Sequence, residues 1–272
     1  MITEITNRTA IYYEMINFYR VINDLKTEDL QFVYNTMFEL LTEAESAIAE
    51  GQTDKEKVQI FFDLVYNKWG FQCDYNDNMA LENYCLPDIL NNRRGVAVSV
   101  GGIILFLAEK LALPIYATKM VHHFILQDES GDEIVFIDPW NGRVVSDQYV
   151  EKLYKEVYGD DIEFDVQQLG RADAEDLEDR YAQLAKNALF NKEALEQSLK
   201  YIENLLARTP DSIFERRDRG VVLVQLGLFD DALEDLECFV ENMPNDPFSE
   251  LMRSQLPQLR AEIEKKQKKS IH

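Results

Sequence analysis

Cysteine and histidine are both scarce in this chain of 272 residues, which has three of each. The cysteines, Cys73, Cys85 and Cys238, are odd in number and show no C-x-x-C spacing. That argues against a disulfide framework and against a zinc site. Basic residues are also few, 28 against 50 acidic ones, for a formal net charge of −22. Such a polyanion repels phosphate backbones and anionic lipid surfaces at long range. Nucleic acid and membrane are therefore not expected as partners, and the cationic exceptions at Arg93–Arg94, Arg216–Arg219 and Lys265–Lys269 are local. Long apolar runs are missing too. The most apolar stretch, around Ile103–Leu107, is broken by Glu109 and Lys110 and is too short to span a bilayer. No basic segment followed by an apolar run marks a signal peptide, and the cytoplasm fits these absences. There is no glycine-rich phosphate loop, and neither a cofactor nor a metal is expected.

What is present suffices for a large folded core. Hydrophobic residues make up 46% and aromatic residues 11%, which excludes a disordered chain. Apolar residues recur at helical spacing in Ile11, Met15, Phe18, Tyr19 and Ile22, and again in Leu30, Val33, Tyr34, Met37 and Leu41. Gly51 fits a helix end, and Asp54 fits an N-cap for a helix from Val58 to Trp69 that stops at Gly70. Gly70–Tyr84, rich in Asn and Asp, predicts a loop, and Asp88–Asn92 a short helix. Gly95 then opens a strongly apolar helix through Ala112, closed by Pro114. Gly101–Gly102 inside it permit close packing. Three β-type runs follow, Ile115–Met120, His123–Gln127 and Ile134–Ile137, the last two separated by the turn sequence Asp128–Asp132. A helix followed by an antiparallel meander predicts the α+β class.

Beyond Asp173 every segment predicts helix. Pro210 and Pro244 lie 34 residues apart, each closing an amphipathic helix, and that is the tetratricopeptide period. In the second unit Gly220, Gly227, Phe229 and Ala232 occupy the small and aromatic positions. The first unit carries Lys186 and Ser198 instead, and Phe248–Lys265 predicts a capping helix. The organisation is thus an α+β core with N-terminal helices over residues 1–165 and helical repeats over residues 174–272, with Gly159–Asp173 as the connection.

One constellation points to chemistry. His123 lies on one β-type run and Asp138 ends the next, so the two can meet side by side, the carboxylate fixing the imidazole tautomer. The nucleophile of such a set belongs at the start of a packed helix, where the dipole and an imidazolium lower a thiol's pKa. The matching helix begins Gly95-Val96-Ala97-Val98-Ser99 and offers no cysteine.

These segments, with Gly70-Phe71, Asn83-Tyr84-Cys85-Leu86-Pro87-Asp88-Ile89-Leu90, Arg93-Arg94-Gly95, His123-Phe124, Asp138-Pro139-Trp140-Asn141-Gly142 and Arg217-Asp218-Arg219-Gly220, resemble the SirB/YchA-like family. The resemblance runs from about Phe62 to Pro244. It implies a papain/transglutaminase-like core followed by tetratricopeptide-like repeats. Counting back from Pro114 sets Ala97 on the nucleophilic cysteine position of the transglutaminase core, with His123 and Asp138 on the other two triad positions. The family replaces that cysteine, usually by proline, and has a glycine where this chain has His122. It is named from a genetic link to a virulence regulator and implies no assigned reaction.

Ser99 lies two steps past Ala97, a rotation of about 200°, which turns its hydroxyl away from the imidazole. Cys85, before Pro87, is either a relocated thiol or a buried structural cysteine. His123 and Asp138 are either a vestigial catalytic dyad or a hydrogen-bonded structural pair, and His122 and His123, as neighbours on a strand, point to opposite faces. Phe124 and Trp140 are expected in the core. The Arg216–Arg219 cluster either bridges to acidic core residues or faces a repeat groove. Groove-facing positions of the second repeat include Arg217, whose fork of donors suits a carboxylate, and Gln225. The expected function is a non-catalytic cytoplasmic adaptor or regulator binding another protein or peptide. The alternative is a hydrolase or amide-transferring enzyme that uses the His–Asp pair with water or a relocated nucleophile.

Overall fold

The computed structural model describes residues 5–73, 79–120 and 122–270. Residues 74–78 of the Gly70–Tyr84 loop and the terminal His272 lie outside the described residues, as do the side chains of Lys266, Lys268 and Lys269 in the basic tail. The chain forms two compact units, Met1–Arg20 with Asp24–Ala188, and Val21–Asn23 with Leu189–His272.

Helices α1 (Ala10–Ile22), α2 (Gln31–Ile48) and α3 (Asp54–Asp63) come first. The cap of α3 is Thr53, one residue before the expected Asp54. Its hydroxyl accepts the Glu56 N–H, and the Glu56 carboxylate accepts the Thr53 N–H, so each satisfies a donor the helix leaves open. A π-helical turn, Leu64–Lys68, extends α3, and Gly70 at φ +72° turns the chain away. Strand β1 (Gln72–Cys73) pairs in parallel with β2 (Arg94–Gly95), and between them lies α4 (Leu86–Asn92), ended by Arg93 in the left-handed conformation.

Gly95 therefore belongs to a strand, and the apolar helix α5 (Ala97–Lys110) starts two residues later than expected. Its cap residue Val96 has no polar side chain, so the Ser99 hydroxyl accepts the Val96 N–H at 3.0 Å. A Cβ on Gly101 would stand 2.2 Å from the Phe124 ring, and one on Gly102 2.3 Å from Ile11. The two glycines let an aromatic ring and α1 close directly onto the α5 backbone.

A four-stranded antiparallel meander follows in the order β3 (Ile115–Ala117), β4 (Leu126–Asp128), β5 (Val135–Asp138) and β6 (Arg143–Val145). Strand β4 begins at Leu126, so His123 sits in the segment leading to the strand rather than within it. Strand β6 and helix α6 (Asp147–Tyr158) were not expected. Ser146 caps α6 by accepting the Tyr149 N–H, and its buried face sets Val150 and Leu153 against Ile125, Phe136 and Val145. Helix α7 (Ala174–Asn191) comes next.

The second unit is helical: α8 (Leu195–Arg208), α9 (Ile213–Leu226), α10 (Phe229–Asn242) and α11 (Pro247–Ser270). Pro210 and Pro244 stand just past the ends of α8 and α10, as the repeat period requires. Gly227 closes α9 at φ +75°, and a Cβ on Gly220 would lie 2.8 Å from Leu236, where α9 crosses α10. Helix α11 contains Pro257, which has no N–H to give the carbonyl one turn back.

Candidate functional site

A cavity of about 410 Å³ opens in the first unit. The start of α5 contributes Ala97 and Val98, and the approach to β4 contributes His122, His123 and Phe124. The end of β5 and its following turn contribute Asp138 and Trp140, α6 contributes Tyr149 and Leu153, and α7 contributes Arg180 and Leu184. The three positions singled out from the sequence, Ala97, His123 and Asp138, thus share one cavity.

They do not form a hydrogen-bonded dyad. The Asp138 carboxylate accepts the Trp140 N–H at 3.0 Å and pairs with Arg143 at 3.3 Å. A short acidic side chain readily bonds the backbone two residues on, and here that local turn takes the oxygen expected to hold the imidazole. No hydrogen bond joins His123 to Asp138 among the described residues. His123 is held instead through its carbonyl, which accepts from Arg180 Nη1 at 3.1 Å, while Arg180 Nη2 donates to the Met120 carbonyl at 2.5 Å. Burial lowers the His123 pKa below the ordinary histidine value, His122 and Arg180 add to the shift, and Glu156 opposes it. The neutral imidazole is favoured.

His122 lines the same cavity as His123. The expectation of opposite faces fails because the segment is not a strand. Among the described residues, no group of three or more His, Cys, Asp or Glu side chains is arranged to hold a metal ion. Ser99 is fully buried, and its hydroxyl lies 2.8 Å from the Asn83 carbonyl while accepting from Val96, so it serves as a cap and does not line the cavity. Cys85 and Cys73 are buried. The Cys73 thiol points at the Pro139 carbonyl at 3.5 Å, and burial, then Asp138, push its pKa well up.

The sequence reading missed several cavity residues. Phe124 and Trp140, expected in the core, line the cavity, as do Tyr84, Tyr149 and Arg180. Trp140 lies in the same phrase as Asp138 and was within reach of a motif argument. Nothing around Arg180, between Asp179 and Tyr181, marks it out.

The second unit has a groove of about 520 Å³ between α9, α10 and α11, floored by Val224, Leu236, Met252 and Leu256 and edged by Gln225, Gln255 and Gln258. Gln225 is therefore in the groove. Arg217 stands behind its wall: its guanidinium lies 5.5 Å from the Phe214 and Phe239 rings and 5.6 Å from Phe248. It also pairs with Asp218 at 2.7 Å. Arg216 and Arg219 both bind the fully buried Asp235 of α10, at 3.1 and 2.6 Å. The basic cluster is thus neutralised within the repeat.

A helix N-terminus, a histidine and an aspartate around one cleft of a helix-plus-meander core, followed by paired helices, define a transglutaminase-like core fused to tetratricopeptide repeats. Residues 31–183 match the model of the transglutaminase-like superfamily, and residues 185–257 match a tetratricopeptide repeat. The UPF0162 protein of Haemophilus influenzae is 37% identical over 258 residues, spanning 95% of this chain and 96% of that protein. Protein SirB1 of Salmonella typhimurium and the UPF0162 protein YchA of Escherichia coli are each 31% identical over 227 residues, spanning 83% of this chain and 84% of theirs. No solved structure matches the chain. The chain belongs to the transglutaminase-like superfamily and, within it, to the SirB1/YchA family.

Proposed function

We propose that this chain is a non-catalytic cytoplasmic adaptor or regulator that binds another protein or peptide through its repeat groove. The observation that carries this reading is Ala97 at the first turn of α5, in the cavity shared by His123 and Asp138. A methyl group has neither a lone pair nor a proton to exchange, so covalent catalysis has no starting atom there. The Ser99 hydroxyl and the Cys73 thiol are turned to backbone carbonyls elsewhere, and the Asp138 carboxylate is turned to Trp140 and Arg143.

The groove supports the binding half of the proposal. An apolar floor with a rim of side-chain amides suits the apolar face of an amphipathic segment, with the amides reading its polar edge. Gln225 is a candidate contact in that rim. Arg217 contributes by holding Phe248, which lines the groove. The charge of −22 disfavours nucleic acid, and among the described residues no helix is long and apolar enough to cross a membrane.

The test compares Leu251→Glu with His123→Gln in quantitative capture from cell lysate, with a melting curve for each. Leu251 lines the groove yet is 52% exposed, so its variant should fold normally and lose the captured partner. His123→Gln should keep it. If His123→Gln alone abolishes capture with an unmoved melting curve, the core cavity is the working site and the adaptor reading fails.

A further inference from the structure

Helix α2 carries more apolar surface than its packing uses. Val33, Met37, Leu40, Ala44 and Ile48 recur at helical spacing and are buried, so the stripe that joins α2 to the core is complete without further residues. Phe32 and Phe38 lie outside that stripe and are 50% and 69% exposed. One exposed apolar side chain is ordinary, but two phenylalanines within two turns of one solvent face are the form that an interaction surface takes. From Phe38 an open groove of about 610 Å³ follows α2 past Thr42 and Ser46 to Glu50, and Lys68 also lines it.

The charge around this surface has one sign. Between Lys26 and Lys55 the chain has seven acidic residues and no basic one. Glu43 is already engaged, for it pairs with Lys68 at 2.6 Å and accepts the Trp69 Nε1–H at 2.6 Å. Glu39 and Glu50, toward the two ends of the groove, are exposed and form no ion pair among the described residues. Eleven residues separate them, about 16 Å at the rise of a helix.

We infer that this face of α2 is a docking surface for a basic segment of another protein, which sets an apolar side chain against Phe38 and lysine or arginine against Glu39 and Glu50. A cation over an exposed ring gains from the negative face of the ring, and a carboxylate beside it adds a charge-assisted hydrogen bond. The same charge repels nucleic acid and anionic lipid, and a second copy of this face would set like charges opposite each other. The surface lies wholly within the first unit and does not rest on the repeat groove, so the two sites can be tested apart.

The test uses the full chain at 0.15 M salt with a labelled, alanine-based helical peptide of about sixteen residues. The peptide carries two arginines eleven residues apart and a leucine beside one of them, and its binding is followed by fluorescence anisotropy. Binding should be saturable at one peptide per chain, and replacing both arginines by glutamate should remove it. Phe38→Ser should weaken it about fivefold or more, the factor that about 1 kcal/mol produces. The melting temperature should not move, because the ring is mostly exposed. Glu39→Lys combined with Glu50→Lys should also weaken binding, and this double variant provides the check should Phe38→Ser fold poorly. Asp160→Lys combined with Asp161→Lys changes the net charge equally at exposed positions of the same unit, and should leave binding within about twofold under this screening. Leu251→Glu should bind as the wild type does. Equal losses in the two double variants would mean diffuse attraction to a polyanion. Binding lost in Leu251→Glu but kept in Phe38→Ser would put the peptide in the repeat groove. A wild-type dimer in sedimentation that Phe38→Ser dissociates would mean that a second copy covers the face. Any of these results, or no saturable binding of the arginine peptide, would overturn the inference.

Discussion

A single methyl group decides the chemistry at the start of α5. Replacing Ala97 by cysteine adds one sulfur at a position that lines a cavity, so the fold should be retained. The helix dipole favours the thiolate there, and His123 is in the same cavity. Ala97→Cys should therefore react with iodoacetamide near neutral pH faster than a free cysteine, and an equal or slower rate would show that the cleft no longer activates a nucleophile. His123 makes a second prediction. Its pKa is lowered in the fold, chiefly by burial, so the folded state prefers neutral imidazole. That contribution to stability is complete above the ordinary histidine value of 6.5 and is lost as pH falls through the lowered value. Melting curves between pH 7.5 and 5 should drop more for the wild type than for His123→Gln. The placement of Ala97, His123 and Asp138 around one cavity was legible from motif order together with the family resemblance that sets Ala97 on the nucleophile position. The partner of Asp138 was not, because the competing donor is a backbone N–H two residues away, and spacing cannot rank it against a side chain on another strand.

At the scale of elements, the second repeat is pinned at one buried point. Asp235 is fully buried and holds both Arg216 and Arg219. Asp235→Asn leaves two guanidinium groups without their shared charge and should cost about 3 kcal/mol. Glu237, which pairs with Arg260 at a more exposed site, is the contrast. Glu237→Gln should change stability by no more than about 0.5 kcal/mol. Urea unfolding of both variants decides the matter, and equal losses would mean that Asp235 is not the pin. The long periodic helices and the proline spacing of the repeats were readable because each repeats a pattern over many residues. Strand β6 and helix α6 were overlooked for the opposite reason. Three residues, Arg143–Val145, carry too little alternation, and the useful signals were the Ser146 cap and the spacing of Val150, Leu153 and Tyr154. Strand β4 starts three residues later than the sequence pattern predicts, because the apolar pattern of Phe124-Ile125 continues into Leu126 without a break.

The whole molecule carries a net charge of −22, and among the described residues several ion pairs are exposed on both sides, such as Lys119–Asp173. Exposed pairs are worth little, whereas the summed repulsion of a polyanion opposes the compact state. Added salt screens both, with a Debye length of about 8 Å at 0.15 M. The melting temperature should therefore rise as sodium chloride is increased from about 10 mM to 0.15 M. A fall would mean that the ion pairs outweigh the repulsion.

Pro257 removes one rung from the helical ladder of α11, which walls the repeat groove. Leu256 and Leu259, on either side of it, both line the groove, and the Arg253 carbonyl one turn back receives no N–H from Pro257. If that missing rung lets the wall adjust to a partner bound as proposed, association should show two kinetic phases, a concentration-dependent encounter followed by a slower step that does not depend on concentration. Pro257→Ala would restore the rung and merge the phases into one, trading breadth of partners for speed of capture.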